Sequence, residues 1–145
     1  MVAGYPPATN FMIAFDTNVL VYYCDRRDQG RQRIAIDLVD DASDGILLWQ
    51  VACEFIAASR KLAQFGLTSE LSWAHLADFI QALPLVLPSF RVLDAARSLH
   101  LEHQWSFWDA MLIGACLEAG IERLYSEDLP GRKPPGNLEI VNPFA

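Results

Sequence analysis

The sequence predicts one α/β domain, an α/β/α sandwich around a mainly parallel central sheet. Short apolar runs alternate with stretches of helical apolar spacing, as in a chain that returns to its sheet through helices. Two of those runs lead into an aspartate, Asp16 and Asp128, where parallel sheets carry functional groups beyond their carboxyl strand ends. The 145 residues are 52% hydrophobic, enough for one sizeable core without disulfides or structural metal.

Met12–Phe15 is an apolar run ending at Asp16, the pattern of a buried strand, and Asn18–Cys24 follows as a short helix. Arg31–Ala42 sets Ile34, Ala35, Leu38, Val39 and Ala42 at helical spacing, and Asp44-Gly45 breaks it. Ile46–Trp49 is the second strand. Val51–Phe65 reads as a helix with Phe55, Ile56, Leu62 and Ala63 as its apolar stripe and Gly66 as its C′ residue. Thr68 or Ser69 caps a helix running to about Leu83, and Pro84 stops it. Leu85–Leu87 is a short third strand before Pro88.

Phe90–His103 is helical, with Val92, Leu93, Ala96, Leu99 and His100 on or near one face. Phe107–Ala119 is the most apolar helix, ended by Gly120. Ile121–Tyr125 forms a strand leading into Ser126-Glu127-Asp128. Pro130, Gly131, Pro134, Pro135 and Gly136 mark a loop, and Leu138–Val141 closes the sheet.

Met1–Asn10 lacks the basic start and apolar centre of a secretory signal. Residues 1–11 are read as an N-terminal leader to a domain over 12–145, with Met12 as the alternative start. No uninterrupted apolar stretch is long enough for a bilayer, so a cytoplasmic protein without a membrane partner is expected. Cys24, Cys53 and Cys116 are scattered, without zinc-ligand spacing, and read as small buried hydrophobes in a reducing compartment. The net charge of −7 argues against a phosphate-rich partner unless metal offsets it; two divalent cations would bring it to −3 (−7 + 4). Arg26, Arg27, Arg31 and Arg33, the pair Arg60 and Lys61, and the pair Arg132 and Lys133 read one by one as a solvated surface.

The candidate chemistry lies in four acids. Asp16, before Thr17-Asn18, fits a helix N-cap and a metal ligand equally well. Glu54 taken alone reads as a first-turn glutamate facing the helix dipole. Helical spacing groups it with Ala57, Ala58 and Lys61, away from the main apolar stripe. Asp109 follows Ser106 at capping-box spacing, in a helix with no further charge until Glu118. An acid opening a buried helix has poor access to water and needs a partner, which a metal ion would be. Asp128 alone is a turn aspartate before Pro130-Gly131, and Ser126 is either its hydrogen-bond partner, a contact to a ligand water or an ordinary turn serine. Converging carboxylates repel one another unless a cation lies among them. Mg2+ and Mn2+ favour oxygen ligands, and such ions assist phosphodiester cleavage.

At these residues the chain resembles PIN-domain ribonucleases, especially VapC-type toxins of bacterial toxin–antitoxin pairs. The resemblance rests on Phe15-Asp16-Thr17-Asn18-Val19-Leu20, Glu54 on an early helix, Phe107-Trp108-Asp109-Ala110, Tyr125-Ser126-Glu127-Asp128-Leu129 and the ending Val141-Asn142-Pro143-Phe144. It runs from Met12 to Phe144. It implies a PIN-like sandwich and a Mg2+- or Mn2+-dependent endoribonuclease whose catalytic acids are Asp16, Glu54, Asp109 and Asp128. Asp16, Asp109 and Asp128 would hold metal, with Asn18 and Ser126 in support. An RNA substrate, a cognate antitoxin and a homodimer are implied with it. Two other readings are compatible with the residues: a non-catalytic PIN-fold binding module, and a metal-dependent phosphatase or receiver-like phosphoryl acceptor. Serine replaces the family's frequent threonine at Ser126, and Pro130-Gly131-Arg132-Lys133-Pro134-Pro135 departs from the usual polar stretch.

Overall fold

In the computed structural model, which describes residues 12–129, 131 and 133–145, five strands form one sheet in the order β3-β2-β1-β4-β5. The strands are β1 (Ile13–Phe15), β2 (Gly45–Leu48), β3 (Leu85–Val86), β4 (Arg123–Tyr125) and β5 (Glu139–Val141). Residues 1–11, expected as a leader, lie outside the described residues. Each neighbouring pair is parallel; β1 sets Ile13 against Gly45 on one side and against Arg123 on the other.

The helices are α1 (Thr17–Cys24), α2 (Gln29–Asp41), α3 (Trp49–Ser59), α4 (Ser69–Ala82), α5 (Phe90–Glu102) and α6 (Phe107–Glu118). α1 packs on α2 and α3, and α3 on α4, while α5 and α6 pack on each other. Helices cover the sheet, so β2 is buried along its whole length and shows no polar–apolar alternation. Phe15, Leu20, Leu47, Phe55, Ile113 and Leu124 are among the largest fully buried side chains.

Strand order explains where a site can form. β1, β2 and β3 step outward in one direction, and the chain then crosses to the far side of β1 to add β4 and β5. The order therefore reverses between β1 and β4, and a crevice opens beyond their carboxyl ends. Asp16 follows β1 directly, and Ser126 follows β4.

Several boundaries differ from the sequence reading; the strand expected over Ile121–Tyr125, for one, begins at Arg123. Trp49, expected in the second strand, opens α3 and is 46% exposed. The expected helix over Val51–Phe65 is α-helical to Ser59 and continues as a tighter 3₁₀ segment, Arg60–Phe65. Ser59 Oγ donates to the carbonyl of Ile56 at 3.1 Å, a bond that competes with the regular ladder where it changes. The third strand has two residues, and Leu87 is 66% exposed. Gly66 ends the 3₁₀ segment at φ +101°, a left-handed conformation that glycine adopts without a side-chain clash.

Gly114 lets α5 and α6 approach closely. A Cβ there would lie 3.1 Å from the Val92 carbonyl oxygen and 3.2 Å from the Ala96 nitrogen, both backbone atoms. Alanine gains about 1 kcal/mol in helix propensity, while overpacking costs about 1–3 kcal/mol. Since backbone atoms yield little, Gly114→Ala is expected to lower stability by about 1 kcal/mol net, read as a reduced urea midpoint. An unchanged midpoint would show that the two helices separate freely.

Candidate active site

Asp16 stands where β1 becomes α1. Its backbone N–H donates to the Tyr125 carbonyl at 2.8 Å, which extends the β1–β4 pairing by one residue. Its side chain is both a cap and an oriented carboxylate. Oδ1 accepts from the Thr17 N–H at 2.7 Å, and Oδ2 accepts from Ser126 Oγ at 2.7 Å. Ser126 is buried, and its hydroxyl donates to Asp16 rather than to Asp128. Burial pushes the Asp16 carboxyl above its ordinary value. The Ser126 and Thr17 hydrogen bonds oppose this, and the negative charges of Asp128 and Asp109 add to it.

Glu54 is the sixth residue of α3, beyond the first turn, so the helix-dipole reading falls away. Thr17 Oγ1 donates to Glu54 Oε1 at 3.0 Å, tying α1 to α3. The predicted grouping of Glu54 with Ala57, Ala58 and Lys61 holds, because all four line one cleft.

Asp109 is the third residue of α6, and Ser106 is its N-cap. The cap uses the backbone N–H of Asp109, 3.4 Å from Ser106 Oγ, so the carboxylate itself is not needed for it. The expected shielding from water is only partly present. Phe107 and Trp108 are exposed, Ala110 is fully buried, and Asp109 lies half-buried at that border. Gln50 Nε2 donates to the Trp108 carbonyl at 3.3 Å and joins α3 to this end of α6.

Asp128 is exposed, and its Oδ2 accepts from Asn18 Nδ2. Asp16, Glu54, Asp109 and Asp128 thus come from four segments and line a single cleft of about 470 Å³ with Thr17, Asn18, Gln50 and Lys61. Among the cleft's described lining residues, Lys61 is the one basic side chain. Among the described residues, no three acidic, histidine or cysteine side chains form a group that could hold a metal ion. The acids share a cleft without closing on a common point.

Three participants escaped the sequence reading. Thr17 and Gln50 each reach across to another element. Glu127 accepts from Tyr22 Oη at 2.7 Å and from Arg31 Nε at 3.1 Å. Burial and the Glu127 acceptor push the Tyr22 hydroxyl up to about 12, so it remains a donor at neutral pH. The one available signal was adjacency: Thr17 lies between Asp16 and Asn18, and Glu127 between Ser126 and Asp128.

The other basic residues behave largely as a surface. Arg27 pairs with Asp25 at 3.0 Å, Arg31 with Asp28 at 2.9 Å and Arg33 more loosely with Asp37 at 3.8 Å. Pro130 and Arg132 of the departing loop lie outside the described residues. Cys116 is buried as expected, but Cys24 is half-buried and Cys53 is exposed, on the rim of an apolar cavity beside the cleft. No described helix is long and apolar enough to cross a membrane.

Residues 13–129 match the PIN domain model, so the chain belongs to the PIN domain family. No curated protein matches it significantly in sequence. Among solved structures, it is similar to a toxin–antitoxin complex from Klebsiella pneumoniae, with TM-score 0.64 and 18% identity over 90% of this chain and 97% of that one. It is also similar to VapC20 of Mycobacterium tuberculosis, a toxin that cleaves the sarcin–ricin loop, with TM-score 0.63 and 17% identity over 80% of this chain and 89% of that one. A Pyrobaculum aerophilum protein gives TM-score 0.57 and 17% identity, covering 84% of this chain and 83% of that one. At these identities the solved structures establish a shared fold.

Proposed function

We propose that this protein is a metal-dependent endoribonuclease and the toxin of a toxin–antitoxin pair. One observation carries the reading: four carboxylates from separate segments line one cleft at the switch point of a PIN-family sheet. Asp16 is held there although burial and two acidic neighbours oppose its charged form.

The four carboxylates are the donor chemistry of a hard divalent cation, and binding one would draw together side chains that do not meet at a common point here. The acids offer oxygen ligands, the class Mg2+ and Mn2+ prefer, and Lys61 alone would leave much of their charge uncompensated. Asp16, Asp109 and Asp128 would hold the metal; Glu54 would bind it directly, act through water or orient the nucleophile. A bound divalent ion supplies an activated water and charge stabilisation for the leaving oxygen. The chain's own residues fix the acids. Ser126 and the Thr17 N–H orient Asp16, the Thr17 hydroxyl orients Glu54, and Asn18 orients Asp128. Single-stranded or looped RNA suits the cleft better than a regular duplex, because its backbone can bend toward the acids.

The Klebsiella toxin–antitoxin complex supports an antitoxin partner, and an arginine inserted among the four acids would block metal and RNA together. The homodimer implied by the resemblance remains part of the proposal; the apolar cavity beside the cleft, lined by Trp49, Leu87 and Trp108, all well exposed, is a surface for a protein partner. The deciding experiment offers metal-stripped protein labelled RNA and acetyl phosphate separately, with Mn2+ titrated into each. RNA cleavage that requires Mn2+ supports the proposal. A phosphorylated protein with intact RNA favours the phosphoryl acceptor, and indifference to metal and RNA favours a binding module.

A further inference from the structure

The three residues that follow β4 are each tied to the segment that begins at the end of β1. Ser126 Oγ donates to Asp16, Tyr22 Oη donates to Glu127, and Asn18 Nδ2 donates to Asp128. Asn18 and Tyr22 stand four residues apart on α1, so they share one face of the helix, one turn apart. Consecutive carboxylates therefore go to successive turns of α1. They also part company: Asp128 lines the acidic cleft, whereas Glu127 lines a different cavity, beside β5.

Glu127 is held from two helices. Tyr22 Oη, on α1, lies 2.7 Å from Oε1, and Arg31 Nε, on α2, lies 3.1 Å from Oε2. Arg31 is held in turn by Asp28 at 2.9 Å, and the Tyr22 ring packs edge-on against Phe144 at 4.9 Å. The Glu127 side chain is only 20% exposed, so this is more than a loose surface pair. Asp128, by contrast, is exposed, and Asn18 is its one hydrogen-bonding side chain among the described residues.

We propose that Glu127 is a positioning residue: its anchor to Tyr22 and Arg31 holds the backbone from which Asp128 reaches the cleft. The proposal rests on reading that cleft as a metal-dependent nuclease centre. Without the anchor, binding an ion would have to order the Asp128 segment as well, and affinity would fall by that cost. Partners that orient a ligand without touching the metal commonly carry about 10–100-fold in affinity or activity.

The test compares Glu127→Ala, Glu127→Gln and Tyr22→Phe in the full chain, each with native Asp128 and with Asp128→Asn. Mn2+ affinity is measured by calorimetry, RNA cleavage beside it, and melting checks the fold. With Asp128 native, Glu127→Ala is expected to weaken Mn2+ binding about 10–100-fold. With Asp128→Asn, the same change should add less than about twofold, because the group it positions is already altered. Tyr22→Phe should act in the same direction and by less. Should Glu127→Ala fold poorly, Tyr22→Phe combined with Arg31→Ala carries the same comparison, because together they remove both partners of Glu127, whereas Glu127→Gln keeps the shape and the Tyr22 bond and should retain most of the affinity. Undiminished Mn2+ affinity in folded Glu127→Ala, or in the variant lacking both partners, overturns the proposal, as does an equal loss on both backgrounds. A wild type that neither binds Mn2+ nor cleaves RNA overturns the nuclease reading itself, whereas an active wild type with an indifferent Glu127 variant overturns this proposal alone.

Discussion

Asp16→Asn is expected to abolish RNA cleavage and, in metal-free buffer near neutral pH, to raise the melting temperature. Both effects come from one charge. Asparagine serves as an N-cap about as well as aspartate, so the bond from the Thr17 N–H survives. Its amide can donate to Ser126 Oγ in place of the present bond, whose direction reverses. What disappears is a negative charge that the fold disfavours. Burial holds the Asp16 carboxyl above its ordinary 3.8, so the folded chain binds that proton more tightly than the unfolded chain. Its contribution is therefore present at low pH and lost as pH rises through the folded value. The difference in stability between wild type and Asp16→Asn should follow that sign across the acid range. Cleavage should fall by about 10²–10³-fold, the scale on which one lost electrostatic contact to reacting groups is felt. A folded variant with wild-type activity, or one less stable at neutral pH than at low pH relative to wild type, would contradict this account of Asp16.

The second large effect is stabilisation by metal. An ion that binds only the native state at a hundred times its dissociation constant adds about 2.7 kcal/mol. Melting in a Mn2+ series should rise accordingly, and Asp128→Asn should need more Mn2+ for the same rise. Asp128 is exposed and tied by Asn18, so losing its charge should leave the metal-free melting temperature close to wild type. An unchanged melting curve across the series would favour a PIN-fold binding module.

Much of the fold was legible because its punctuation is chemical. Gly66, Pro84 and Gly120 stop helices where expected, and short apolar runs mark the strands. The change to 3₁₀ geometry after Ser59 was not legible, since Arg60–Phe65 keeps a plausible helical pattern and the competing bond from Ser59 is a structural detail. Within the site, Asp16 and Asp128 could be read from the strands before them. Glu54 could not be placed by local rules, because a glutamate near a helix start has an ordinary explanation, and only its bond to Thr17 draws it toward Asp16. Glu127 was invisible for the opposite reason: its partners Tyr22 and Arg31 lie about a hundred residues earlier, and no periodicity announces such a contact.

In the proposed function, RNA cleavage occurs at the carboxylate cleft and requires a divalent ion. Asp109 tests it most directly, because its carboxylate takes no part in capping α6 and its removal should leave the helix intact. The measurement is cleavage of one single-stranded RNA by metal-stripped wild type and Asp109→Asn, before and after Mn2+ is added. No cleavage is expected without Mn2+, cleavage by wild type once it is added, and about 10²-fold or greater loss in an equally stable Asp109→Asn. Cleavage by wild type in the presence of chelator, or equal rates for both proteins in Mn2+, would contradict it.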